Sequence, residues 1–429
     1  MTGATQPGDR PGEEDRPSGS GPGSGAWFGL PFPFPGVELG SFDPATLAGL
    51  FTPGAVLSWE MARQVAHAMV DAGPPEPPLD ETSRREITEV VRAAAVPVAA
   101  ETGLAAAAGF DPEIWSRRDC ADRQLEALRP VLEALARRLR GALEAEVATP
   151  GADLGLEGLP VGTLLALAPV LLGAQAGAMV GYLAQRTLGR YDLPLPFAGP
   201  PGVAVVAGNV ERFAREWSLP RSDLLFFLAL GELVRAAQRA VRWVREHLVA
   251  LAVDAVSAYE FDEATLDERL GDLDPTDPAS LARLAEHPVE LLGAMTSERQ
   301  QRHIEEIRRV TAVLEGHVWL VRERLGARML HEAGRLGEAV QRQHLERGEA
   351  GRFIEALLGL RLGRDDVTQG RAFCAGVAER AGLAALAALY EKPSRLPTPA
   401  ELEAPGLWLA RIELDGGDVE ADVPHSGDG

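Results

Sequence analysis

The run LLFFLALGELVRAAQRAV (224–241) places Gly231, Glu232 and Arg235 where chemistry could be done. On a helix, positions 231 and 235 are i and i+4 and project from one face. Two histidines at that spacing, with a glutamate after the first, form H-E-x-x-H. That arrangement binds zinc and uses the glutamate as general base on the metal-bound water. Here the pattern reads G-E-L-V-R, with the glutamate present and both ligand positions changed. Glycine inside a helix costs about 1 kcal/mol relative to alanine, and a carboxylate on a mostly buried helix is costly unless something pairs with it. On its own, G-E-x-x-R occurs by chance in many helices.

Other chemistries find little support. The chain has no G-x-x-x-x-G-K-[ST] loop, no G-x-G-x-x-G between a strand and a helix, and no G-x-S-x-G elbow. None of the eight histidines forms a close pair able to place two imidazoles on one ion. His331-Glu332 leads to Arg335, an H-E-x-x-R one ligand short that reads as an exposed polar helix turn. His317 follows Glu315 by two residues, so the two side chains leave a helix in nearly opposite directions. Two cysteines, Cys120 and Cys374, are too few for a disulfide framework or a cysteine-rich zinc module. They suit a reducing cytosol.

The elements that must position these residues are helical. Apolar residues recur at i, i+3 and i+4 near 58–72, 82–101, 121–147, 162–187, 221–252, 296–333, 335–359 and 366–390. Asp43-Pro44, Asp111-Pro112 and Ser222-Asp223 read as helix starts. GVAVVAGN (202–209) and WLARIEL (408–414) read as short strands. The stretch 159–185 carries no charged side chain and is long enough to span a bilayer. Its prolines, glycines and missing flanks favour a buried helix pair instead. Residues 1–40 are expected to be a disordered Gly/Pro/Ser-rich tail, with WFGLPFPFPG (27–36) able to dock as an arm. The acidic segment 261–278 reads as a surface loop and 415–429 as a disordered acidic tail.

The expected fold class is therefore mainly α with a small β element. A single domain over 41–414 is expected, made of an N-terminal helical part (41–200) and a part that carries the G-E-x-x-R helix (201–414). With 42 Lys and Arg against 63 Asp and Glu, the net charge is −21. That argues against nucleic acid and anionic membrane as partners, since both need a basic footprint.

The surroundings of G-E-L-V-R carry a resemblance. The stretch 188–238 is similar to the core of an actinobacterial zincin-like family labelled zinc-dependent metallopeptidases, hydrolases or deazaflavin-coenzyme-biosynthesis-associated proteins. In that family Y/F-D-x-P-[LF]-P leads to a short strand, then N-[IV]-x-x-F, W-x-L-P, and a helix with H-E-x-x-H. Tyr191, Asp192, Pro194, Pro196, Asn209, Phe213, Trp217, Leu219 and Pro220 match and set the register. Downstream, TAVLEGHVWLV (311–321) resembles the family's E-G segment, LLGLRLGRDDVTQGRAFCAGV (357–377) matches at Gly359, Gly370 and Phe373, and 395–412 resembles the family's ending. VAAETGL (98–104) and the Trp115 region fit more loosely. The similarity spans about residues 50–414.

The resemblance implies a zincin-like fold, with Glu232 in the general-base position and Glu315 in the third-ligand position. Gly231 and Arg235 fall where the two histidines belong. Glycine supplies no ligand, and a guanidinium stays cationic and repels a metal. The expectation is no cofactor, the family's zinc being lost, with Arg235 standing in the vacated site and paired with Glu315, Glu232 or both. The implied function is that of a cytoplasmic pseudoenzyme that binds a protein or peptide partner. The competing expectations are an active hydrolase with noncanonical ligands around Glu232 and Glu315, in which His317 or His303 would be the nearest substitutes, and a membrane-associated protein anchored through 159–185. The sequence is silent on oligomeric state.

Overall fold

The computed structural model describes residues 54–148, 161–192, 196–260, 297–345 and 364–420. The first half contains α1 (Trp59–Asp71), α2 (Glu81–Thr102), β1 (Pro112–Trp115), α3 (Arg117–Ala148) and α4 (Val161–Ala184). Next come β2 (Val203–Val206), α5 (Ala207–Glu216), α6 (Arg221–Ala240), α7 (Arg242–Ser257) and α8 (Glu298–Met329). The chain then forms α9 (Ala333–Leu345), α10 (Arg364–Ala381), α11 (Pro399–Glu403) and α12 (Pro405–Glu420). The fold is mainly α, with one small parallel sheet among the described residues in which β1 pairs β2 from Pro112↔Val203 to Trp115↔Val206. One hydrophobic core runs from Leu57 to Trp408 and draws on helices from both halves.

Side-chain caps start several helices where local sequence asks for them. Ser58 accepts from the Met61 amide and Asp80 from the Ser83 amide. Thr398 and Glu401 form a reciprocal capping box on α11. Gly382 ends α10 with φ +81, a conformation an L side chain rarely adopts, and the chain turns there into a 3₁₀ segment over Leu383–Tyr390.

The apolar stretch 159–185 forms a single helix over its described part, α4, rather than the expected helix pair; Pro169 is accommodated inside it. Its length is used for close packing. Gly173, Gly177 and Gly181 share a stripe at i, i+4 and i+8, and a Cβ on any of them would run into the backbone of Ser58, Ala62 or Ala66 on and beside α1. Ala166–Ala184 is the one single helix among the described residues long and apolar enough to cross a membrane, and 61% of that window is buried inside the protein.

Four sequence expectations are corrected. Asp111-Pro112 opens β1, not a helix, because the following residues pair with the fully buried VAVV strand. Proline is tolerated at the first position of an edge strand. The helix begins five residues later, where Ser116 and Asp119 exchange hydrogen bonds. WLARIEL lies within α12, not in a strand: Trp408 is fully buried and Arg411, at helical spacing, reaches Glu401 at 2.6 Å. That helix continues to Glu420, into the segment read as a tail. The expected helix 221–252 is broken at Val241, which is extended (ψ 109), and Arg245 donates to the Arg239 carbonyl freed by the break. Residues 27–36, the helix start at Asp43-Pro44, the loop 261–278, and 346–359 of the expected helix 335–359 lie outside the described residues.

Candidate functional site

Helices α6 and α8 run antiparallel along the site. Their opposing residues are Gly231 with Arg322, Arg235 with Glu315, and Gln238 with the Leu314 carbonyl. Gly316 lets α10 cross α8 in backbone contact: a Cβ there would overlap Gly370, and one on Gly370 would overlap the Ala312 carbonyl.

Arg235 and Glu315 form a buried ion pair. Arg235 Nε donates to both Glu315 oxygens at 2.9 and 3.2 Å, and Nη2 donates to Oε2 at 2.6 Å. The two side chains are 4% and 8% exposed. Burial works to raise the pKa of Glu315, but the Arg235 guanidinium outweighs it and holds that carboxyl below its ordinary range. Burial works equally against the charged Arg235, and Glu315 reverses the sign.

Glu232 does not join that pair. Both of its oxygens accept the Tyr191 amide, at 3.0 and 3.2 Å. Gly189 is needed beneath it, because a Cβ there would come within 2.7 Å of the Glu232 carboxyl carbon. Burial pushes Glu232 up to about 7, against the opposing pull of Arg235 and the Tyr191 amide. The segment carrying Gly189 and Tyr191 is itself held on β2: Arg190 N donates to the Ala204 carbonyl and Val206 N to the Leu188 carbonyl.

Three further charged groups complete the centre, and none was singled out in it from sequence. Asp192 accepts the Leu188 amide at 3.2 Å. Arg239 lies over the Tyr191 ring, 4.6 Å from its centroid, and donates to the Arg235 carbonyl. Arg322 packs into the space beside Gly231, with its pKa lowered by burial and by Arg235 to about 9. The signal for Arg239 and Arg322 was spacing: each falls on the stripe of Arg235 or Glu315, four and seven residues on. In a chain with 42 Lys and Arg that spacing alone could not single them out.

The histidines do not gather here. His317 turns to Tyr390, Nδ1 to Oη 2.6 Å, and burial lowers its pKa to about 4. Gln238 donates to the same hydroxyl at 3.0 Å. His303 stands three helical turns before Glu315, about 18 Å along α8 at 1.5 Å per residue. His331 and Glu332 are exposed ahead of α9, where Glu332 pairs with Arg335 at 2.9 Å. Among the described residues no group of three or more His, Cys, Asp or Glu is arranged to hold an ion. The donor set does not fit zinc. A catalytic site needs about three nitrogen, oxygen or sulfur ligands and an open position. Here one ligand position has no side chain, the second is a guanidinium, and Glu315 is saturated by it.

The other family-like residues that are described build the scaffold. Asn209 donates to the Ala184 and Thr187 carbonyls at 2.8 and 2.7 Å and accepts from Arg117 Nε at 2.7 Å, tying α3, α4 and α5 together. Phe213 packs on Trp217, and Pro220 precedes the first residue of α6.

Comparison with known proteins establishes the family and the fold. Among curated proteins none matches. A crystal structure from Chloroflexus aurantiacus, described as a "putative hydrolase with a novel fold", shares the fold at TM-score 0.55 and 22% identity, covering 83% of this chain and 99% of that one. The sequence profile of the family described as zincin-like metallopeptidase matches residues 57–409, and the chain belongs to that family.

Proposed function

We propose that this chain is a non-catalytic member of the zincin-like metallopeptidase family, a cytoplasmic protein that acts by binding a protein or peptide partner. The observation that carries this reading is the buried Arg235–Glu315 pair. It places a fixed cation at one ligand position and consumes the carboxylate that would be another. The cytoplasmic assignment is supported by Cys120 and Cys374, both free and buried.

A second reading, a hydrolase that uses Glu232 as base with noncanonical ligands, draws on one observation. A carboxylate with a pKa of about 7 suits general-base work at neutral pH. Against it, both Glu232 oxygens are engaged by one backbone amide, and the cation acting on it most strongly is Arg235 rather than a metal ligand set. The test is metal content of chelator-washed protein after zinc is resupplied, together with a peptidase assay. The expected result is well under one equivalent of zinc and no hydrolysis above a Glu232→Gln control. One tightly held equivalent, with hydrolysis that the control lacks, would establish the second reading instead.

A further inference from the structure

Arg322 has no counterpart in an H-E-x-x-H pattern, yet it fills the space at the first ligand position. It stands two helical turns beyond Glu315 on the same face of α8. A Cβ on Gly231 would overlap its Nη2, Cζ and Nε atoms. The residue is 2% exposed, and its guanidinium lies 4.9 Å from the centroid of the Phe227 ring. Its Nε and Nη1 meet no hydrogen-bond acceptor.

Those unspent donors are informative. An arginine placed for pairing uses its planar fork on a carboxylate, as Arg235 does. Hydrogen bonding does not account for Arg322, whereas charge and volume do. Asp192, Glu232 and Glu315 are all buried around it, and each interacts electrostatically with Arg235 or Arg322. Arg235 and Arg322 together carry the charge of one divalent ion, and they occupy the two ligand positions, the first through the space that glycine leaves.

We infer that Arg322 is a plug: with Arg235 it replaces a divalent ion by two guanidiniums, and Gly231 is glycine because Arg322 takes its side-chain space. This rests on the reading of a metal-free centre and names the residue that keeps it so. Two imidazoles at 231 and 235 are then insufficient for zinc. An imidazole at 231 needs the volume Arg322 fills, and a displaced guanidinium still repels a cation from a few ångströms away.

The experiment is zinc titration of chelator-washed protein, with cobalt absorption as a second readout, on three chains. They are the wild type, Gly231→His/Arg235→His, and the same double variant carrying Arg322→Ala. The triple variant is expected to hold one equivalent of zinc and to show the intense visible band of tetrahedral cobalt. The double variant should bind at least about 100-fold more weakly, because a unit charge at 4 Å in an effective dielectric of about 20 opposes the ion by more than that factor. Equal affinity of the double and triple variants, or a folded triple variant without zinc, overturns the plug and leaves the metal-free reading standing. Zinc held by the wild type overturns the metal-free reading itself.

A metal-free cycle keeps the inference testable if the triple variant does not fold. Gly231→Ala should lower Tm when Arg322 is present and raise it in an Arg322→Ala background, where only the helix preference of alanine remains. The same shift in both backgrounds would overturn the plug.

Discussion

At the scale of single residues, the centre is a set of buried charges whose energetics can be read separately. Removing Arg235 leaves Glu315 buried without its counter-charge, so Arg235→Met should cost about 3–5 kcal/mol. Adding Glu315→Gln should recover part of that loss. A denaturant-based double-mutant cycle is expected to return a coupling of about 1–3 kcal/mol, and a value near zero would remove the pair from the forces holding α6 to α8. Glu232 and His317 contribute to the pH dependence with opposite signs. Glu232 has a folded pKa of about 7 against an ordinary 4.5, so the folded chain keeps a proton the unfolded chain has released. Its contribution to stability falls as pH rises through that window, by about 3 kcal/mol. His317 has a folded pKa of about 4 against 6.5, so the unfolded chain takes up the proton first. Its contribution rises with pH from about 4 to 6.5, by a similar amount of about 3 kcal/mol. Between pH 4.5 and 6.5 the two slopes nearly cancel. Glu232→Gln removes one of them, and urea midpoints of that variant should climb with pH across this range more steeply than those of the wild type. Parallel pH profiles would show that Glu232 ionises normally in the folded chain.

At the scale of elements, glycines decide where helices may touch. Gly177 on α4 has the Ala62 carbonyl where a Cβ would go, and a backbone carbonyl cannot retreat without moving α1. Gly177→Ala should therefore destabilise by about 1–3 kcal/mol. Gly141 on α3 is exposed, with nothing within 4 Å of a built Cβ, so Gly141→Ala should instead stabilise by about 0.5–1 kcal/mol. Thermal melts of the two variants should move in opposite directions; shifts of the same sign would contradict the close α1–α4 approach. Periodicity foretold these helices well because a 3.6-residue apolar stripe is a local property. It missed β1, since Pro-Glu-Ile-Trp becomes a strand only through a partner just over ninety residues away. It misread 408–414 because W-L-A-R-I-E-L satisfies both alternation and an i, i+3, i+4 stripe, and burial of Trp408 against Phe373 selects the helix.

At the scale of the whole molecule, the C-terminal helix α12 packs on α10 and α11 and adds Trp408 to the core. Trp408 has no exposed surface, donates from Nε1 to the Arg395 carbonyl at 2.7 Å, and meets Phe373 edge-on at 5.5 Å between centroids. Trp408→Ala should lower stability by about 3–5 kcal/mol and shift one cooperative urea transition. An early separate transition that left the main midpoint unmoved would mean that α12 folds apart from the rest. By itself the sequence determined the helical class, and through its family resemblance it pointed to Glu232 and Arg235 on the G-E-x-x-R helix and to Glu315 further along the chain. Apolar spacing and motif order are both carried along the chain. The partner of each charge was decided only by tertiary structure. Arg235 and Glu315 are eighty residues apart, and Glu232 is claimed by the backbone of Tyr191 rather than by a side chain. Arg322 reaches Gly231 from a different helix. The strength of a buried charge pair depends on distance and desolvation, and both are fixed only when the helices pack.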